Sequence, residues 1–68
     1  MAEKNTRKRS SAIRILIVDD HASIREGLRS LLSREPGFEV CGDVGTAAAA
    51  LDFVRAESPT LAIVDISI

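Results

Sequence analysis

Two stretches of this chain, IRILIV at 13–18 and LAIVD at 61–65, are almost continuously apolar and rich in β-branched residues, with no in–out alternation after Arg14. A strand with one wet face alternates apolar and polar side chains. An unbroken run marks a strand covered on both faces, the parallel-sheet type. Between the two runs the period changes. Ile24, Leu28, Leu31 and Leu32 fall at i, i+4, i+7 and i+8, one stripe of a helix expected in the core, with Arg25, Glu26, Arg29 and Ser30 facing away from it. Ser23 to Glu26 fits a capping box, although the first turn has room to begin a residue or two earlier. REPGF ends the helix, because Pro36 cannot continue it and Gly37 frees the turn.

FEVCGDVG, 38–45, sets Phe38 and Val40 against Glu39, the pattern of a half-exposed edge strand. Thr46 is the expected N-cap of AAAALDFVRAE, a run of strong helix formers with Ala47, Ala50, Leu51 and Val54 on one side, and SPT breaks it. The order is therefore β-α-β-α-β. Strands alternating with helices imply parallel pairing through right-handed crossovers. The two most hydrophobic strands belong together in the middle, so the strand from Phe38 lies outside the first and the order is 2-1-3. With one helix on each face, the gap between strands one and three is the switch point at which doubly wound sheets of flavodoxin-like order bind ligands.

That arrangement brings Asp19, Asp20 and Asp65 out at one carboxyl edge. Two unit charges about 4 Å apart repel by roughly 4 kcal/mol at an effective dielectric near 20. Either a carboxyl stays protonated or a cation neutralises the set. Hard oxygen ligands without His or Cys select a magnesium-like or calcium-like ion. Magnesium takes one or two protein carboxylates and keeps waters that phosphate oxygens can replace. A carboxylate beside such an ion can also act as a nucleophile and form an aspartyl-phosphate. Asp65, alone at a strand end before ISI, is the candidate for that part, with Asp19 and Asp20 holding the ion. The plainer reading is that strand-end aspartates cap helices or mark turns, which is common for any one of them.

Other classes are constrained by what the chain contains. A length of 68 residues allows one small domain near the lower limit of a self-supporting core. Cys41 is the one cysteine, which excludes an internal disulfide, and no Cys/His set has zinc spacing. The net charge of −1 is unevenly spread. Residues 1–12 hold Lys4, Arg7, Lys8 and Arg9 against Glu3, a balance of +3, and the remainder holds −4. The segment 1–12 reads as a basic, disordered amino-terminal tail; it has no aromatic residue to stack on a base. The apolar run at 13–18 is too short for a signal sequence, and nothing approaches the roughly 20 apolar residues that span a membrane, so a cytoplasmic location is expected.

RILIVDDHASIREGLRSLL followed by VDISI resembles the receiver domain of bacterial two-component response regulators, and VDDH…REGL is most similar to the subfamily whose receivers precede a LuxR-type helix-turn-helix. The resemblance spans 13–68 and implies a flavodoxin-like (CheY-like) doubly wound parallel sheet. It implies that Asp65 accepts a phosphoryl group from a sensor histidine kinase. Asp19 and Asp20 would hold Mg2+, with Asp20 ahead of Asp19 as the direct ligand. A backbone carbonyl two residues past the phosphoacceptor, that of Ser67, would complete the protein ligands together with Asp65. Such a module is a phosphoacceptor rather than a turnover enzyme, and it controls transcription in the intact protein through a carboxyl-terminal DNA-binding domain absent from these residues.

The family pattern goes further than residue 68. Its hydroxyl residue after a fourth strand, its lysine after a fifth and its aromatic switch residue have no counterpart here, the lysines being Lys4 and Lys8. The chain is accordingly expected to be the amino-terminal half of a receiver, truncated after strand three. Its open third-strand edge invites self-association. One alternative is a non-signalling fragment that only binds a kinase or other partner. Another is a metal-dependent phosphohydrolase of the aspartyl-phosphate type, but VDDHA lacks the D-x-D spacing common there. His21 is a poor magnesium ligand and is given no direct role. Cys41 reads as a small hydrophobe on a strand. Gly42 and Gly45 are expected to ease a turn.

Overall fold

The run at 13–18 becomes the middle of the sheet. In a computed structural model that describes residues 12–65, the elements are β1 (Ile13–Asp19), α1 (Ala22–Leu32), β2 (Phe38–Val44), α2 (Ala47–Glu57) and β3 (Leu61–Asp65). The strands form one parallel sheet in the order β2-β1-β3, as the sequence pattern predicts. The basic tail expected over 1–12 lies outside the described residues apart from Ala12, and so does Ser67.

β1 is hydrogen-bonded on both edges and covered on both faces. Ile15, Leu16, Ile17 and Val18 are the buried apolar core among the described residues, each at most 2% exposed. Burying such a side chain is worth about 1.5–3 kcal/mol, so this one strand carries most of the hydrophobic stabilisation.

α1 begins earlier than the capping box predicts. Its N-cap is His21, in extended conformation and without a side-chain cap. The His21 carbonyl accepts the N–H groups of Ile24 and Arg25, both at 3.1 Å. The turn out of β1 is already tied by the Asp19 carboxylate, so Ser23 falls inside the first turn. The apolar stripe of α1 is less covered than expected: Leu28 and Leu32 are half-buried, whereas Ile24 and Leu31 are exposed. The helix packs over β1 and β2, a strip too narrow to cover the whole stripe.

α2 fits its sequence closely. Thr46 Oγ1 accepts the Ala49 N–H at 3.1 Å, the expected N-cap. Ser58 closes the helix in the left-handed region at φ 48°, its N–H bonded to the Val54 carbonyl. Arg14 Nη1 donates to the Glu57 carbonyl at 2.7 Å and to that of Ser58 at 3.2 Å, placing a cation at the negative end of the helix. Ala47, Ala50, Leu51 and Val54 share one side, facing Leu16 and Val18 of β1 across an apolar groove of about 340 Å³. Ala62 and Val64 form its far wall.

The β1–β2 register contains one irregularity. Ile15 pairs with Val40 but Leu16 pairs with Gly42, so Cys41 is the extra residue of a bulge. Its Sγ lies 3.4 Å from the Ile15 carbonyl as a weak donor. The slip puts Gly42 on the row of Leu16 and Asp43 on the row of Ile17, which face opposite sides of the sheet. Gly42 is therefore not a turn glycine. It lies within β2 beneath the ring of Phe53, and a Cβ built there would stand 2.5 Å from Phe53 Cε2. Asp43, on the other face, meets α1.

Candidate acidic site at the carboxyl edge of the sheet

The register β1–β3 pairs Ile17 with Ile63, Val18 with Val64 and Asp19 with Asp65, so the last two residues leave the sheet side by side at the same edge. Asp20 follows directly in the turn to α1. The carboxylates do not share one environment. Asp19 is buried at 1% exposure, while Asp20 and Asp65 are exposed.

Asp19 is satisfied locally. Its Oδ1 accepts the His21 backbone N–H at 2.8 Å and lies 3.0 Å from His21 Nδ1. The same Nδ1 is 3.0 Å from Asp20 Oδ1. Two carboxylate acceptors around one ring nitrogen require that Nδ1 carry a proton. The His21 N–H, followed by the imidazole and the Arg25 charge, holds the Asp19 carboxyl below its ordinary range against the opposing effect of burial. The hydrogen bond to Asp19 raises His21 above the ordinary imidazole range, and the fields of Asp20, Asp19 and Asp65 add to it.

Ligand atoms of Asp19, Asp20 and His21 lie within 4.8 Å of one another, the one cluster of three or more such groups among the described residues. The Asp65 carboxyl is outside that tight group but close enough for its field to reach the imidazole. Of the four residues expected to bind the ion, Asp19, Asp20 and Asp65 thus stand at one edge, and Ser67 falls outside the described residues. The carboxylate oxygens of Asp19, Asp20 and Asp65 suit a hard dication, the last two on exposed side chains, whereas the His21 nitrogen in the same cluster is a poor magnesium ligand.

Three residues carry parts that the sequence pattern did not announce. His21, given no direct role, bridges the acidic pair through Nδ1. Arg25 and Arg29, expected to point away from the core, turn toward β2. Arg25 Nε donates to Asp43 Oδ1 at 3.0 Å, and Arg29 binds Asp43 Oδ2 through Nε at 3.1 Å and Nη2 at 2.6 Å. Arg29 and then Arg25 hold the Asp43 carboxyl below its ordinary range. The i, i+4 spacing of the two arginines puts them on one helix face, but their target depends on the bulge at Cys41.

The model of the response regulator receiver domain family matches residues 15–68. The chain is 47% identical over 55 residues to a putative transcriptional regulator of Pseudomonas aeruginosa, covering 81% of this chain and 26% of that protein. It is 37% identical over 54 residues to the DNA-binding transcriptional activator DevR/DosR of Mycobacterium tuberculosis, covering 79% and 25%. It is also 41% identical over 54 residues to a protein-glutamate methylesterase/protein-glutamine glutaminase of Anaeromyxobacter dehalogenans, covering 79% and 15%. The chain thus spans about a quarter or less of the length of these relatives. No solved structure gives a significant match. No helix among the described residues is long and apolar enough to cross a membrane.

Proposed function

The chain belongs to the response regulator receiver domain family, and from that premise we propose that it is the phosphoryl-accepting part of a cytoplasmic two-component regulator. Asp65 takes the phosphoryl group from a phosphohistidine of a sensor histidine kinase. A carboxylate oxygen of Asp65 attacks phosphorus, and the P–N bond breaks with its electron pair returning to the kinase imidazole. Asp19, Asp20, Asp65 and the Ser67 carbonyl would hold Mg2+. When bound, the ion supplies charge neutralisation for the phosphoryl oxygens.

The observation that carries this reading is the in-register pairing of Asp19 with Asp65 at the carboxyl edge. It sets an exposed carboxylate, free to meet a phosphodonor, beside a buried one already tied to the turn. Asp19 anchors the turn through the His21 N–H, and Asp20 offers its carboxylate to the edge. His21 Nδ1 lies 3.0 Å from a carboxylate oxygen of each aspartate, so one ring N–H bridges the pair in this conformation.

In the intact protein the phosphorylated module controls transcription through a further, DNA-binding domain, as the name of the DevR/DosR relative describes for that protein. The module accepts one phosphoryl group rather than turning over a substrate. The open edge of β3 offers a surface for self-association.

Incubating the chain with Mg2+ and acetyl phosphate tests the reading. A mass increase of one phosphoryl group, lost in Asp65→Asn and on chelation of Mg2+, is expected. Sustained phosphate release would instead assign a phosphohydrolase. Neither modification nor release, with kinase binding retained, would assign a partner-binding fragment.

A further inference from the structure

The guanidinium of Arg25 is shared between the ends of two strands. Its Nη1 donates to the backbone carbonyl of Asp19 at 2.7 Å, and its Nε donates to Asp43 Oδ1 at 3.0 Å. The side chain is 23% exposed, so the fork works in partly dried surroundings. The carbonyl it holds belongs to the peptide that joins Asp19 to Asp20. A peptide unit is planar, so fixing its oxygen fixes the orientation from which the Asp20 side chain departs. Only a planar fork with several fixed donors can span both acceptors at once; an ammonium is a single point of charge.

Two neighbours make that placement specific. Asp43 anchors the fork from β2, and the bulge at Cys41 is what turns Asp43 to this face. Gly45 admits it: a Cβ there would stand 3.0 Å from Arg25 Nη1 and 3.8 Å from the Asp19 carbonyl oxygen. Arg29, one turn further along α1, holds the other Asp43 oxygen and takes no part in the contact to Asp19. The two arginines therefore share an anchor but differ in reach.

We propose that Arg25 is a positioning residue for divalent-cation binding at the carboxyl edge, acting through the Asp19–Asp20 peptide, anchored by Asp43 and given room by Gly45. The proposal rests on the assignment of Mg2+ to Asp19 and Asp20. Residues behind a metal's direct ligands typically change affinity by about 10–100-fold when removed.

The test is calorimetric titration of Mg2+ alone into the 68-residue chain, with urea unfolding of every variant to establish that it is folded. Arg25→Ala is expected to weaken Mg2+ binding about 10-fold. Arg25→Lys keeps the positive charge without the fork and should stay nearer to Arg25→Ala than to wild type. Gly45→Ala crowds the guanidinium while leaving every charged group in place, and it should also weaken binding. Arg29→Ala removes an Asp43 ion pair of similar kind, lowers stability and leaves Mg2+ affinity at the wild-type value. Wild-type affinity in folded Arg25→Ala or Gly45→Ala overturns the positioning role, as does full rescue by Arg25→Lys or an equal loss in Arg29→Ala. Failure of the wild-type chain itself to bind Mg2+ overturns the metal assignment and the positioning role together, an outcome distinct from the others.

Discussion

β1 and β3 end in the same tripeptide, and the sheet sets the two copies side by side: Ile17 beside Ile63, Val18 beside Val64, Asp19 beside Asp65. Their surroundings are opposite. Val18 is 2% exposed and Val64 is 62% exposed. The carboxylate of Asp19 is buried and bonded to the turn that follows, whereas that of Asp65 is open at the edge. Identical side chains therefore contribute differently according to whether a strand has neighbours on both edges and both faces. On the proposed function, the same inequality would divide the labour at the acidic site, one strand end tied to the turn and its twin exposed.

The contrast breaks most sharply if truncation in the two strands has the same effect. Leu16→Ala, at a fully buried position, should cost about 2–5 kcal/mol, enough to unfold much of a domain this small. Val64→Ala should stay within about 0.5 kcal/mol, the range of exposed substitutions. Urea denaturation followed by circular dichroism measures both, and comparable losses would mean that β3 is covered in solution by something else.

The two flanks of Leu16 offer a second comparison. Gly42→Ala drives a methyl group into the Phe53 ring and should destabilise by about 1–3 kcal/mol, as overpacking does. Ala62→Val, on the other flank, projects into the open groove and should be tolerated or slightly stabilising. A tolerated Gly42→Ala would show that α2 is not seated on β2 as described. At the entry to α2, Thr46→Ala removes the bond to Ala49 N–H and should cost about 1 kcal/mol.

The smallest effect concerns pH. The Asp43 carboxyl is held low in the folded state by Arg29 and Arg25, so the unfolded chain binds this proton more readily. Its contribution is fully present above the ordinary carboxyl pKa near 3.8 and is lost as pH falls through the lower folded-state value. Asp43→Asn should therefore flatten the acid side of the stability–pH profile while lowering stability near neutrality. An unchanged acid limb would remove Asp43 from the bonds that secure the β2 flank.

Much of this was legible in the residues. Thr46 as the cap of α2, Pro36 and Pro59 at the breaks and the shared side of Ala47, Ala50, Leu51 and Val54 follow from local rules that need only a few residues of context. The acidic edge was legible too, because parallel strands run the same way and carry their carboxyl-terminal aspartates to the same edge. His21, Arg25 and Asp43 were not. An arginine on the polar side of a helical stripe ordinarily faces water, and nothing near Arg25 in the chain indicates that residue 43 will rise to meet it. The start of α1 was legible to within two residues: Ser23 falls inside the first turn because the Asp19 carboxylate ties the His21 N–H and His21 is the N-cap.

Order and type of the elements, and the carboxylates at their ends, were thus determined by the chain alone, since periodicity, caps and breakers act over one or two turns. Which of two nearly equal apolar strands is buried, on which side Asp43 emerges after the bulge, and why position 42 must be glycine were decided only on assembly. Exposure and facing are properties of what lies across the sheet, and a residue acquires those neighbours from distant parts of the chain.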